Sequence, residues 1–231
     1  MSDSETGSTA PRIRSFVRRE GRLTPGQARA LDRLWPAYGL EFTAQPIDPE
    51  AVFGRAAPLT LEIGSGNGEA LAAAAATQPE RDFIGVEVYR PGVGRLLSEI
   101  DARGLGNVRV VSHDAVEVLE SMLPVRCLDQ VLIYFPDPWP KKRHHKRRLV
   151  RASFLPTLAR ALKPGGRLEL ATDWDEYAQE MLELLSAAPE FTNTAGSGGF
   201  AERPPYRPQT RFERRGKKLG HGVWDIIFSR R

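Results

Sequence analysis

Between residues 59 and 171, five short apolar runs (59–63, 83–88, 108–112, 131–135 and 167–171) alternate with segments of helical period at 69–77, 92–102, 115–122 and after 148. Strands that alternate with helices predict an α/β fold with a mostly parallel central sheet and right-handed crossovers. A further helix is expected over 176–186, and Lys163-Pro164-Gly165-Gly166 reads as a turn. The tail departs from this rhythm. Residues 191–194 and 223–228 are strand-like, and the loop between them, rich in Gly, Pro and Arg, shows no helix. They predict an antiparallel addition at the end of the sheet. In open α/β sheets ligands bind beyond the carboxyl ends of the strands, so the residues just after each run are the ones to inspect.

The first strand ends in Gly-Ser-Gly-Asn-Gly, with Gly64, Gly66 and Gly68 leading into a helix, which lets a ligand approach the backbone closely. The dinucleotide fingerprint G-x-G-x-x-G is not met, because its third glycine falls on Glu69. A phosphate-cradling G-K-[ST] is absent too. Glu62 and Glu69 flank the turn, which disfavours a pyrophosphate and suits a ligand with cationic groups. Glu87 and Asp114 follow the second and third strands. One acid after one strand is most simply a loop residue, but acids after three successive strands describe a pocket. Glu87 would accept a ribose, Asp114 an adenine edge, and Glu62 with the 64–66 turn an amino-acid moiety; S-adenosylmethionine carries all three groups.

After the fourth strand comes Pro-Asp-Pro-Trp-Pro and then a cationic run. Asp137 and Trp139 precede seven Lys or Arg residues between Lys141 and Arg151. Leu149, Val150, Phe154, Leu155, Leu158 and Leu162 continue in helical spacing, so the cations are expected on the first turns of a packed helix. A second basic group lies at Arg12, Arg14, Arg18, Arg19 and Arg22, and a third of seven Lys or Arg between Arg203 and Lys218. Glu176, Glu180 and Glu183 lie apart from these. The formal net charge of +4 therefore understates a basic face suited to a polyanion.

Residues 1–11 read as a disordered leader, 12–58 as a basic N-terminal extension packing on the core, and 59–231 as the main domain. The longest apolar run, 70–76, has seven residues, far short of the roughly 18 that suggest a membrane span. One cysteine, Cys127, allows no disulfide within the chain, and the protein is expected in the cytoplasm. Neither Cys127 nor the His144-His145 pair has metal-ligand spacing, and no metal is expected.

The chain resembles the bacterial tRNA (guanine-N7)-methyltransferases over most of its length. The resemblance is carried by RSFVRREGRLTPGQARAL, LEIGSGNGEAL, FIGVEVYRPGVGRLL, NVRVVSHDAVEVL, PDPWPKKRHHKRRLV, LKPGGRLELATDWDEY and TRFERRGKKLGHGVWDI. It implies a Rossmann-like class I methyltransferase fold, S-adenosylmethionine as methyl donor and tRNA as partner. It further implies cofactor contacts from Glu62, Gly64, Gly66, Glu87, Asp114 and Asp137, with Asp137 also catalytic. Lys141, Asp173, Thr210, Arg211, Phe212 and Glu213 match substrate contacts, and Arg143, His144, His145, Lys146, Arg147 and Arg148 the RNA-binding segment. Arg211 and Pro140 stand where the family more often has lysine and histidine. For Asp173 a helix cap is an equal reading, and for Trp139 both base stacking and cover for the sheet end stay open. A noncatalytic RNA-binding subunit would not need the strand-end acids, and a small-molecule methyltransferase would leave the basic groups unexplained. The sequence suits a monomer or a homodimer alike.

Overall fold

The computed structural model describes residues 13–16, 21–196, 198–218, 220 and 222–231, so the expected leader 1–11 and His221 lie outside the described residues. The strands are β1 (Gly39–Leu40), β2 (Leu59–Ile63), β3 (Asp82–Val86), β4 (Val108–Val111), β5 (Leu128–Tyr134), β6 (Leu162–Thr172), β7 (Phe191–Asn193) and β8 (Trp224–Arg230). They form one sheet in the order β1-β4-β3-β2-β5-β6-β8-β7. Every pairing from β1 to β6 is parallel, and β8 pairs antiparallel with both β6 and β7. The strand order reverses direction between β2 and β5, and such a switch point opens a crevice at the carboxyl ends.

The helices are α1 (Pro25–Tyr38), α2 (Pro49–Phe53), α3 (Glu69–Thr77), α4 (Arg90–Ala102), α5 (Ala115–Glu117, widening into a π turn over Val118–Met122), α6 (Leu155–Ala161), α7 (Asp175–Ala187) and α8 (Arg211–Lys218). One core, with Leu61, Ile133, Leu158, Leu170, Tyr177 and Phe228, joins the sheet to α5, α6 and α7. The other, with Leu34, Leu71, Phe83, Leu97 and Ile100, joins it to α1, α3 and α4. Each fully buried side chain of this kind contributes about 1.5–3 kcal/mol, so burial on both faces makes the sheet the rigid part of the molecule.

α1 lies on this second core. Thr24 and Gln27 cap each other's backbone N–H groups, Pro25 starts the helix, and Gln27 Nε2 donates to Pro91 O at 3.1 Å. At Gly94 a Cβ would sit 2.9 Å from Gln27 O, so the glycine permits α1 to approach α4. The chain then adds β1 at the sheet edge.

Three expectations are corrected. The 191–228 segment, read as helix-free, contains α8. The cations of 141–151 do not crown a helix: Lys142–Arg147 form a separate 3-10 turn, with His144 N–H on Lys141 O at 2.7 Å and Arg148 N–H on His145 O at 2.8 Å. Arg148 is then extended, and α6 begins only at Leu155, followed by Pro156. Lys163 to Gly166 is no turn ahead of its strand but lies within β6, as a bulge that puts five residue steps of β6 (Leu162 to Arg167) against two of β5 (Leu128 to Gln130).

Candidate active site at the carboxyl ends of the strands

Glu62 is on β2, Glu87 just past β3, Asp114 just past β4 and Asp137 just past β5. The sheet order makes these four strands neighbours, so acids spread over 76 residues meet along one edge. The glycine turn between β2 and α3 lies against them. Gly64, Gly66 and Gly68 have φ of +75, +55 and +78, and a Cβ built on Gly64 would meet nothing within 4 Å. A Cβ at Gly92 would fall 2.7 Å from Gly66 O, so the first turn of α4 closes the far side of the turn.

Glu87 is fastened at both oxygens. Gly66 N–H donates to Oε2 at 2.7 Å and Tyr89 N–H to Oε1 at 2.8 Å. Burial pushes its carboxyl above the usual range and the nearby Asp137 charge adds to this, while the N–H groups of Tyr89, Gly66 and Val88 pull it down. Glu62 is more isolated. It is buried, Oε2 has no hydrogen-bond partner, and burial followed by the charge of Glu87 raises its pKa to about 8. A buried carboxylate without a donor is expensive unless a cationic ligand satisfies it. Asp114 caps α5, accepting from Val116 N–H at 3.0 Å.

Asp137 is exposed on a loop with unusual geometry. Phe135 and Trp139, on either side of it, have φ of +53 and +46. Positive φ in residues that carry a Cβ costs on the order of 1–3 kcal/mol each and persists only where neighbours enforce it. Phe135 N–H donates to Ala171 O at 2.7 Å, and Trp139 Nε1 donates to Ser15 O at 3.1 Å. The Arg147 guanidinium lies 5.3 Å from the centre of the Trp139 ring, and His144 meets the ring edge-on at 6.0 Å. Desolvation and then the surrounding Arg143, Arg147, Lys141 and Lys146 charges hold the His144 imidazole below its usual pKa.

Lys141, Arg143 and Lys146 are exposed beside this loop. The structure corrects the expectation for Arg148: its side chain is fully buried and paired with Glu176 and Glu180, so it presents nothing to RNA. Glu176 also lies 3.6 Å from His145, so these acids join the basic segment instead of standing apart from it. Asp173, just past β6, is so close to α8 that a Cβ at Gly216 would fall 2.7 Å from its Oδ2. Thr210 caps α8, its hydroxyl accepting from Glu213 N–H at 3.2 Å. Glu213, matched by resemblance to a substrate contact, is 1% exposed and points inward to Arg207 at 2.7 Å and Arg203 at 3.4 Å. It holds the helix in place. The side chains of Arg211 and Phe212 lie outside those described.

Arg207 was not singled out from sequence. It is buried among Glu213, Asp225 and the rings of Tyr134 and Phe135, with Nη2 on Asp225 Oδ2 at 2.9 Å and its guanidinium 5.9 Å from the Phe135 ring centre. Arg214 on α8 reaches Glu69 on α3 at 2.8 Å, which brings α8 to the first turn after the glycines. A surface groove of about 690 Å³ between α1 and α4 contains none of these groups. Strand ends, not cavity size, define the site.

A mostly parallel α/β sheet with antiparallel C-terminal strands, a glycine turn after its first central strand and acids at successive strand ends define a Rossmann-like class I methyltransferase. A family model described as "Putative methyltransferase" matches residues 56–226. The chain is 56% identical to the tRNA (guanine-N(7)-)-methyltransferase of Alcanivorax borkumensis over 99% of its own length and 96% of that protein's. It is 54% identical to the one from Methylococcus capsulatus, with each chain covered completely. The chain belongs to the tRNA (guanine-N(7)-)-methyltransferase family. The fold is shared at lower identity by the 16S rRNA methyltransferase KamB (TM-score 0.54, 13% identical, 95% of this chain and 98% of that one). The aminoglycoside resistance methyltransferase NpmB1 shares it too (TM-score 0.54, 18% identical, 79% and 91%). Among the described residues no helix is long and apolar enough to cross a membrane, and no group of three or more His, Cys, Asp or Glu is placed to hold a metal ion.

Proposed function

We propose that this protein transfers the methyl group of S-adenosylmethionine to N7 of a guanine in the variable loop of tRNA, forming 7-methylguanosine, and that it does so in the cytoplasm. The observation that carries the reading is the unpartnered, buried Glu62 oxygen beside the open backbone of Gly64 and Gly66. A ligand bearing both a cationic amino group and hydrogen-bonding hydroxyls fits that donor set. When bound, the cofactor supplies an electrophilic methyl on a sulfonium. Glu62 would take the amino group, Glu87 the ribose hydroxyls through the lone pairs that Gly66 and Tyr89 leave open, and Asp114 the adenine edge.

Guanine N7 has an in-plane lone pair and no proton at neutral pH, so Asp137 has no base to be. Its work is to hold the base edge and stabilise the positive charge that the ring gains. Exposure at the end of β5 suits this role, because the base must come from outside. Lys141, Arg143 and Lys146 would take RNA phosphates next to it, and Asp173 with Thr210 would border the base from the β6 and α8 side.

Incubation with unmodified tRNA and labelled cofactor, followed by nucleoside mass spectrometry, tests the reading. 7-Methylguanosine is expected, mapped to the variable loop by aniline-induced scission after borohydride reduction. A methyl group on another atom or base overturns it.

A further inference from the structure

The loop of Asp137 has positive φ at Phe135 and Trp139, so it does not rest in its own preferred conformation and something must hold it. Backbone and N-terminal contacts secure its two ends. Its middle is held by Arg148, whose Nε donates to Pro138 O at 2.9 Å, the carbonyl directly after Asp137. We propose that Arg148 is a positioning residue for methyl transfer, clamping Pro138 so that the Asp137 carboxylate faces the base. This rests on the function proposed above.

The seat of Arg148 is built from α7. Nη1 pairs with Glu180, Nη2 lies 3.4 Å from Glu176, and the guanidinium carbon sits 4.8 Å from the Tyr177 ring centre. Tyr177 in turn accepts Val150 N–H at 3.0 Å, fixing the chain just past the arginine. α7 is packed on the sheet through Tyr177, Met181 and Leu185, which are fully buried. The clamp therefore links the loop to a rigid element, and an error in the loop becomes an error in where the carboxylate sits. A planar fork is needed to serve a carbonyl and two carboxylates at once; a lysine has the charge without the fork. The residue thus belongs by sequence to the RNA-binding run but by geometry to the catalytic loop.

The two roles separate in kinetics. Arg148→Lys should lower kcat by about tenfold or more, since small displacements of a reacting geometry are expensive. The tRNA KM and the slope of log affinity against log salt should stay unchanged. In the same assay, Lys146→Ala should flatten that slope by roughly 0.7–0.9 units per lost phosphate contact. An unaltered kcat in Arg148→Lys overturns the proposal, as does a loss confined to KM with a flatter salt slope. If Arg148→Lys does not fold, the pair Glu176→Gln with Glu180→Gln replaces it, keeping the arginine while loosening its seat. A lowered kcat with unchanged salt slope supports the clamp, and an unchanged kcat overturns it. Wild-type enzyme run alongside tells the two readings apart: inactivity on tRNA overturns the function itself, whereas an active wild type with an equally active variant overturns only the clamp.

Discussion

Gly66 N–H donates to the Glu87 carboxylate at 2.7 Å, joining the turn after β2 to the end of β3. One acid thus shapes the glycine turn and, in the function proposed above, would also take the cofactor ribose. Glu87→Gln keeps the size but turns one acceptor into a donor, which must oppose either Gly66 N–H or Tyr89 N–H. S-adenosylmethionine affinity should fall by about 1.5–3 kcal/mol, roughly 10- to 150-fold, with the fold retained. Titration calorimetry reads this, and an unchanged affinity in a folded variant takes Glu87 out of the site.

Glu62 gives a pH dependence of definite sign. Its pKa is raised from 4.5 to about 8 by burial and then by Glu87, and it also faces the Tyr134 hydroxyl. Between those values the folded protein keeps a proton that the unfolded chain has released, so stability contributed here falls as pH rises from about 4.5 to about 8. Affinity for the cationic cofactor should move the other way over the upper part of that window, because the ligand selects the carboxylate. Glu62→Gln should remove both slopes. Urea unfolding and calorimetry at several pH values compare the two proteins, and identical slopes count against an unpartnered Glu62 Oε2.

The buried Arg207 cluster predicts a large stability change. Arg207→Met keeps most of the volume but removes the nearer cation from the buried Glu213 and Asp225, at a cost of about 3–5 kcal/mol. Equilibrium denaturation measures the loss. A change below about 1 kcal/mol would mean that neighbours, Arg203 among them, already neutralise the acids. A double variant that also carries Glu213→Gln should recover part of the loss, because it removes one of the stranded charges.

How much of this could be read from sequence depended on how far apart the causes lie along the chain. β2 to β5 were visible because apolar runs and the glycines at 64, 66 and 68 are local signals, and the strand-end acids followed from counting forward. α8 was hidden because its residues, Arg-Phe-Glu-Arg-Arg-Gly-Lys-Lys, offer one apolar side chain. Among its described side-chain positions the buried ones are Glu213 and Gly216, against Arg207 and Asp173, and hydrophobic period does not report burial of that kind. Arg148 misled for the same reason. Its neighbours in sequence are exposed cations, while the partners that bury it are Glu176 and Glu180, 28 and 32 residues away.

Asp137 decides between a carboxylate that positions and one that only borders the pocket. N7 needs no deprotonation, so the role left to the side chain is electrostatic, and Asp137→Asn tests it by keeping the shape and removing the charge. Turnover should fall by roughly 10² or more, in line with the loss of a preorganised group facing developing charge. Asp137→Ala should be worse, since the base edge then also loses an acceptor. Cofactor affinity should rise or fall only slightly in the asparagine variant. Removing the Asp137 charge relieves one of the influences that raise Glu87, which favours the ribose contact, while a contact at the pocket edge is weakened. Binding of tRNA should persist, because Lys141, Arg143 and Lys146 stand on a separate turn. Single-turnover measurement with saturating cofactor isolates the chemical step. Near-normal turnover by Asp137→Asn would leave catalysis to alignment of N7 with the methyl group alone.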